Sequence, residues 1–303
     1  LGTLRPLEQV YRCGIDPVAG EGDGPAVRTD DVEGCPAFYG QEVRGVSNGA
    51  APEWMTRRLR AVGQKPISAL VDITNFVMLD LGRPLHVYDK AKLKGGLVAR
   101  KARDGEQVLA LNGKTYALTP AMTVIADEAQ VHDIGGIMGG EDSGVSETTT
   151  DIVIECAYFD PQHIARTGQA LGLTSDARQR FERGVDPAFL ETGLAIATRL
   201  VLDHCGGTAS GITRSGGPPL RRHEVAYDPA LAERLAGVTI AGDRQRAILE
   251  SLGFTVTDGT PWTVAAPSWR RDIDGAPHIV EEVVRIEGVD AVPSVALPRA
   301  DGV

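Results

Sequence analysis

The chain has 303 residues, 42% hydrophobic and 24% charged, with 31 Lys and Arg against 41 Asp and Glu for a formal charge of −10. That composition belongs to a soluble globular protein long enough for two domains with their own cores, and no apolar run approaches the length of a membrane span. The acidic balance excludes a free-standing nucleic-acid binder that relies on a general basic field, but leaves local basic patches or a basic partner open. Cys13, Cys35, Cys156 and Cys205 are scattered with no C-x-x-C pair, and the six histidines supply no close ligand pair. A structural zinc site is thereby disfavoured, and the thiols read as reduced ones in a cytoplasmic protein. The opening LGTLRPLEQVY lacks the layout of a signal peptide, and without an initiator methionine the chain reads as a piece of a longer one.

In chain order, residues 1–34 read as a linker or loosely packed extension, since 14–34 are rich in Gly, Pro and Asp without periodicity. AFYGQEVRGV alternates like a strand, and WMTRRLRAVG reads as a short amphipathic helix closed by Gly63. The next segment places Leu70, Ile73, Val77 and Leu81 at helical spacing, with Gly82 and Pro84 at its end and His86 in PLHVYD just beyond. Residues 96–159 read as β-structure: LVARKAR, a QVLALNGKTYALT hairpin turning at Asn112-Gly113, MTVIAD, the glycine-rich HDIGGIMGGEDSG, and DIVIECAYF. Helix returns at TSDARQRFERG and in DPAFLETGLAIATRLVLDHCGG, with Asp186 as cap, Pro187 in the first turn and Gly206 past the end. SGGPPLRR marks a domain boundary. Beyond it lie a helix near 228–236, a second in RQRAILESLG, the hairpin FTVTDGTPWTVAAP and a last helix in HIVEEVVRIEG. The predicted fold is α+β: a mixed domain with a largely antiparallel sheet, then a small winged-helix-like α+β domain.

Four features are candidates for chemistry. HDIGGIMGGEDSG has neither the G-x-G-x-x-G of a dinucleotide fold nor the Lys-Ser/Thr of a P-loop, and Glu141-Asp142 would repel a phosphate. With no helix N-terminus after it, the stretch reads as a tight turn or as a wall where a ligand meets backbone. Glu155 sits mid-strand between two apolar faces, Ile152, Ile154, Cys156 and Tyr158 on one side and Val153, Ala157 and Phe159 on its own. A buried carboxylate needs a partner or a purpose; a salt bridge to Arg178 or Arg183 is one answer and a ligand the other. His86, at a helix exit, reads as a capping or surface loop histidine or as a site residue. The basic clusters RRLRAVGQK, ARQRFERG, PLRRH and SWRRD read as solvated faces or ion pairs, with one or two open to a phosphate backbone.

Taken in order, VDITNFVMLDLGRPLHVYD, IGGIMGGEDSGV, IVIECAYFDP, TSDARQRFERGVDP and APSWRRDI followed by VEEVVRIEG resemble the bacterial phenylalanyl-tRNA synthetase β subunit, from about Cys35 to Pro293. The resemblance implies a linker over 1–34, a tRNA-editing domain over 35–214, a winged-helix-like domain over 219–292 and a C-terminal linker over 293–303. It implies hydrolysis of tyrosine misattached to tRNA for phenylalanine, because a hydrophobic pocket alone cannot strongly reject an isostere that adds a hydroxyl. Carried over by motif, Glu155 would read the tyrosyl hydroxyl, Gly139 would floor the pocket against the ring, and Ala177 would line it opposite. His86 would lie at the ester end, placing the terminal adenosine or a water, with Ser175 and Lys65 completing that end. Ser175 stands where threonine is expected, and Lys65 is the nearest match to an expected arginine, which loses the bidentate fork. No metal is implied, and ATP and Mg²⁺ belong to the synthetase α subunit, with which an (αβ)₂ heterotetramer is implied. A non-catalytic module that orients tRNA is the rival reading, favoured by the acidic charge; DNA binding by the winged-helix-like unit rests on fold analogy alone.

Overall fold

Residues 16–221, 223–292 and 294 are described by a computed structural model, and they divide between Pro219 and Leu220 into two units. The larger unit opens with β1 (Val27–Thr29) and β2 (Ala37–Arg44), the latter buried along seven of its eight residues. Two helices follow. α1 (Glu53–Ala61) turns Met55 and Leu59 inward, and α2 (Ala69–Leu81) buries Leu70, Ile73, Phe76 and Val77. At about 1.5–3 kcal/mol for each such side chain taken from water, that stripe is what holds α2 against the unit. Gly82, at φ +67°, ends α2 in the left-handed conformation that releases the chain into β3 (His86–Asp89).

The β-rich middle comprises β4 (Leu97–Lys101), β5 (Gln107–Leu109), β6 (Thr115–Ala117), β7 (Thr123–Ala126), β8 (Val131–Ile134), β9 (Met138–Gly139) and β10 (Asp151–Tyr158). After it come α3 (Pro161–Leu171), α4 (Asp176–Phe181), a 3₁₀ turn capped by Asp186, α5 (Leu190–Cys205) and β11 (Thr208–Gly216). One sheet has the order β1-β4-β7-β8-β9, antiparallel except for the β1–β4 pair; the other, β11-β2-β10-β3, is antiparallel throughout. β5 and β6 form a separate hairpin. α5 packs on β10 and β2 and against α2, so β10 lies central in its sheet and deep in the core.

Two readings of the sequence change here. Residues 27–29 are not linker: Val27 pairs with Leu97 and Thr29 with Ala99, so this stretch is an edge strand of the first sheet. Residues 1–15, the start of the expected extension, and 293–303 apart from Ser294 lie outside the described residues. α3 was not anticipated, because only Ile164, Thr167 and Gly168 of its eleven residues are buried and an apolar stripe is faint. Its start is nonetheless well specified, with Asp160 capping His163 N–H and Pro161 in the first turn.

The smaller unit contains β12 (Glu224–Tyr227), α6 (Leu231–Ala236), α7 (Gly242–Ser251), β13 (Thr255–Thr257), β14 (Trp262–Ala265) and α8 (Ala276–Glu287). β12 completes an antiparallel ribbon of order β12-β14-β13, and Tyr227, Leu249, Val264 and Val283 centre its own hydrophobic core. The whole is α+β. No helix among the described residues is long and apolar enough to cross a membrane.

Candidate functional site

β10 runs between β2 and β3, with Glu155 opposite Gly40 on one side and His86 on the other. His86 is therefore not a loop residue. It opens β3, and the crossing that delivers it is fixed by Arg83, whose buried guanidinium donates to the Ala157 carbonyl at 2.8 Å and the Asp186 carbonyl at 2.7 Å. Alternation along β3 puts His86 and Tyr88 on the face that Glu155 shares, with the two rings 4.5 Å apart edge to face.

Glu155 is only 7% exposed and makes no salt bridge to either arginine considered for it. Arg178 pairs with Glu182 at 2.9 Å, and Arg183 is exposed. The partner is instead Tyr88, whose Oη lies 2.8 Å from Glu155 Oε2 and also contacts Asp133 Oδ2. Burial first, and then the neighbouring Asp133 carboxylate, push the Glu155 carboxyl up to about 8. At neutral pH the group is thus mostly uncharged, which removes the charge that would make it costly to bury.

The glycine stretch forms the β8–β9 hairpin, and its two glycine pairs meet different neighbours. At Gly136, at φ +69°, an added Cβ would come 2.8 Å from Phe159 and from Ile164. At Gly139 an added Cβ would come 2.4 Å from His86 Cε1. A ring does lie against the Gly139 backbone, and it is the protein's own imidazole. Asp133, in the same stretch, accepts the Gly140 N–H at 2.9 Å through Oδ1.

These groups line a small cavity of about 90 Å³. Ile125, Ile134, Phe159 and Phe181 supply its apolar wall; Glu155 and Asp133 supply its polar end, and His86, Gly139 and Ala177 also line it. Phe159 and Phe181 meet edge to face at 5.1 Å. Pro84, Leu85, His86, Ile137, Met138, Gly139 and Ala177 also line a broader groove of about 520 Å³, together with Val71, Thr74, Asn75, Ser175 and Asp176. His86 Nε2 is buried with no hydrogen-bond partner among the described residues, 3.8 Å from Asp133 Oδ1. An orphaned polar atom in a cavity wall is a place for a ligand or water to bind.

Four of the six residues expected at a site, Glu155, Gly139, Ala177 and His86, therefore line one cavity. Ser175 lines only the groove, and its hydroxyl is occupied: it caps α4 by accepting the Arg178 N–H at 3.0 Å and donates to the Ile137 carbonyl at 2.5 Å. Lys65 is exposed and lines neither space. Sequence reasoning missed Tyr88 and Asp133. The signal for Tyr88 was its position two residues after His86 in a strand; Asp133 stands inside the quoted glycine stretch but gives no sign of its partner. Among the described residues no group of three or more His, Cys, Asp or Glu side chains is arranged to hold a metal ion.

Comparison with known proteins agrees with this division of the chain. Residues 34–206 match the B3/4 domain and residues 225–289 the tRNA synthetase B5 domain. The phenylalanine–tRNA ligase β subunit of Novosphingobium aromaticivorans is 61% identical over 303 residues, covering 100% of this chain and 37% of that protein. The β subunit of Zymomonas mobilis is 54% identical over 304 residues, covering 100% of this chain and 38% of its own length. An N-terminal fragment of the Pyrococcus horikoshii phenylalanyl-tRNA synthetase β subunit overlaps 90% of this chain and 78% of that one, a loose likeness at 14% identity and TM-score 0.41. This chain spans somewhat over a third of the length of the curated relatives it matches. It belongs to the bacterial phenylalanine–tRNA ligase β-subunit family, as a fragment that carries the B3/4 and B5 domains.

Proposed function

We propose that the B3/4 unit is a proofreading hydrolase that cleaves tyrosine from tRNA for phenylalanine, within a cytoplasmic synthetase built with α subunits as an (αβ)₂ heterotetramer. ATP and Mg²⁺ would act at the α-subunit site, where the amino acid is activated. The units are read as an editing domain over 35–214 and a winged-helix-like domain over 219–292. The observation that carries the reading is Glu155: a buried, mostly neutral carboxyl closing an apolar, phenylalanine-lined cavity, with Tyr88 on one oxygen and, among the described residues, no partner on the other.

In this reading the tyrosyl ring enters the cavity that Gly139 and Ala177 line, beside the His86 imidazole, and its hydroxyl meets Glu155. Phenylalanine would leave Glu155 unpaired, and sites built to bond a hydroxyl reject the analogue lacking it by roughly 10⁴–10⁵. The terminal ribose would occupy the outer groove, with the ester near His86. Water attacks the ester carbonyl, the acyl–oxygen bond breaks, and the ribose oxygen leaves with a proton, freeing tyrosine and tRNA. His86 Nε2 orients the water or the adenosine, and the substrate's own ribose hydroxyl assists. Ser175 is assigned a supporting part, holding α4 and hence Ala177 against Ile137. Lys65 is left with a distant, electrostatic role toward the tRNA backbone.

The occupied Ser175 hydroxyl and the outlying Lys65 favour a second reading, in which the unit orients tRNA without cutting it. Deacylation of tyrosyl-tRNA for phenylalanine, by the chain and by the whole synthetase, separates the two. Editing predicts release of tyrosine by the wild type and its loss in Glu155→Ala; tRNA binding with equal, slow release from both would establish the second reading.

A further inference from the structure

Glu155 Oε2, Tyr88 Oη and Asp133 Oδ2 form a row of three oxygens joined by two hydrogen bonds. A phenol brings one proton, and two such bonds need two. Were both acids ionised, two buried carboxylates would face a single proton, an arrangement that like-charge repulsion and desolvation both oppose. One acid is therefore protonated, and the surrounding donors decide which. Asp133 also accepts the Gly140 N–H, which favours its ionised form, whereas among the described residues no backbone N–H donates to the Glu155 carboxyl. The proton belongs to Glu155. It donates through Oε2 to Tyr88, and Tyr88 donates to Asp133. The upward displacement of the Glu155 carboxyl has the same direction. The other titratable groups around Glu155 are His86 across β3, the buried Cys35 thiol, and the adjacent Cys156 thiol on β10.

A protonated carboxyl carries its hydrogen on one oxygen and leaves the other a carbonyl, which only accepts. With Oε2 engaged inward, the oxygen without a partner among the described residues is Oε1. We propose that Tyr88 and Asp133 are positioning residues that pin the Glu155 proton on its inner oxygen, so that the oxygen offered to the cavity is a pure acceptor that reads a hydrogen-bond donor on the substrate ring. The proposal rests on the editing reading for its substrate, but the proton assignment does not. Its consequence is a rule on ligand chemistry: a para substituent that donates is accepted, and one of similar size that only accepts is refused.

Two measurements test it. Infrared spectroscopy of the chain should show a protonated-carboxyl C=O band at pH 7 that Glu155→Gln abolishes. Asp133→Asn, which removes the neighbouring charge, should lower the pH at which the band is lost. Absence of the wild-type band, its survival in Glu155→Gln, or an unchanged titration of the band in Asp133→Asn overturns the assignment. The second measurement is deacylation of tRNA charged with para-aminophenylalanine or para-fluorophenylalanine, by the whole synthetase. The wild type should favour the amino compound, and Tyr88→Phe, which removes only the pinning hydroxyl, should reduce that preference by roughly tenfold. Equal rates on the two substrates in the wild type, or an unchanged preference in Tyr88→Phe, overturns the specificity claim. A neutral-pH band in a synthetase that deacylates neither compound would leave the proton assignment standing and sink the editing reading instead. Should Asp133→Asn fail to fold, the wild-type band and the Tyr88→Phe preference still decide the matter.

Discussion

Gly139→Ala is the smallest change that should disable the site while sparing the fold. The residue lies in β9 without the positive φ that reserves a position for glycine, so alanine's backbone fits. The obstacle is the neighbour. A Cβ at 139 would come 2.4 Å from His86 Cε1 and 3.1 Å from Leu111 Cδ1, where ordinary contact begins near 3.4 Å. The imidazole must retreat by about 1 Å, or swing out into the groove. His86 has about a quarter of its side chain exposed, so it has somewhere to go. The stability cost should then sit at the low end of the roughly 1–3 kcal/mol typical of overpacking. Catalysis should suffer more, because a misplacement of about 1 Å costs on the order of 10²-fold. The assay is single-turnover deacylation of tyrosyl-tRNA for phenylalanine, run beside thermal unfolding and a crystal structure of the variant. Wild-type turnover with an unmoved His86 ring would refute the claim that Gly139 is there to seat the imidazole. Gly139→Trp should add a second effect by filling the cavity and excluding the substrate ring.

Three further outcomes follow from the geometry. Glu155 is held neutral in the fold but ionises near its ordinary range when unfolded, so the folded state holds the extra proton between those limits. Stability should therefore fall as pH rises from the carboxylate range toward 8, by at most about 1.4 kcal/mol per pH unit from this group; denaturant unfolding at pH 5.5 and 7.5 should show that slope in the wild type and not in Glu155→Gln. Ser175→Ala should lower stability by about 1 kcal/mol through the lost α4 cap and reduce deacylation modestly; a hundredfold loss of rate at unchanged stability would return its hydroxyl to the chemistry. Lys65→Ala should leave the single-turnover rate within about twofold and weaken tRNA binding only at low salt, as a salt titration of binding would reveal.

What the sequence made legible follows from how local each signal is. Glu155 stood out because a carboxylate between two apolar faces of one strand is visible in nine consecutive letters, and its burial is as read. The helix from Ala69 to Leu81 and its glycine stop were equally local. β1 was missed because its order comes from parallel pairing with β4 some seventy residues away, and β12 because four residues after a proline-rich boundary carry too little alternation. Ser175 was assigned to chemistry although its place before Asp-Ala-Arg already suited a helix cap, the role its hydroxyl fills here. The deeper gap is Tyr88 and Asp133. Neither has a local oddity, and their link to Glu155 exists only once β3 and β8 are both in place. Slipping β3 by one residue against β10 would turn His86 and Tyr88 to the opposite face and leave Glu155 buried without either. Arg83, anchored to Ala157 at one end and Asp186 at the other, is what opposes that slip. The chemistry of this site is thus a property of strand register, and the residue that guards the register is not itself among those lining the cavity.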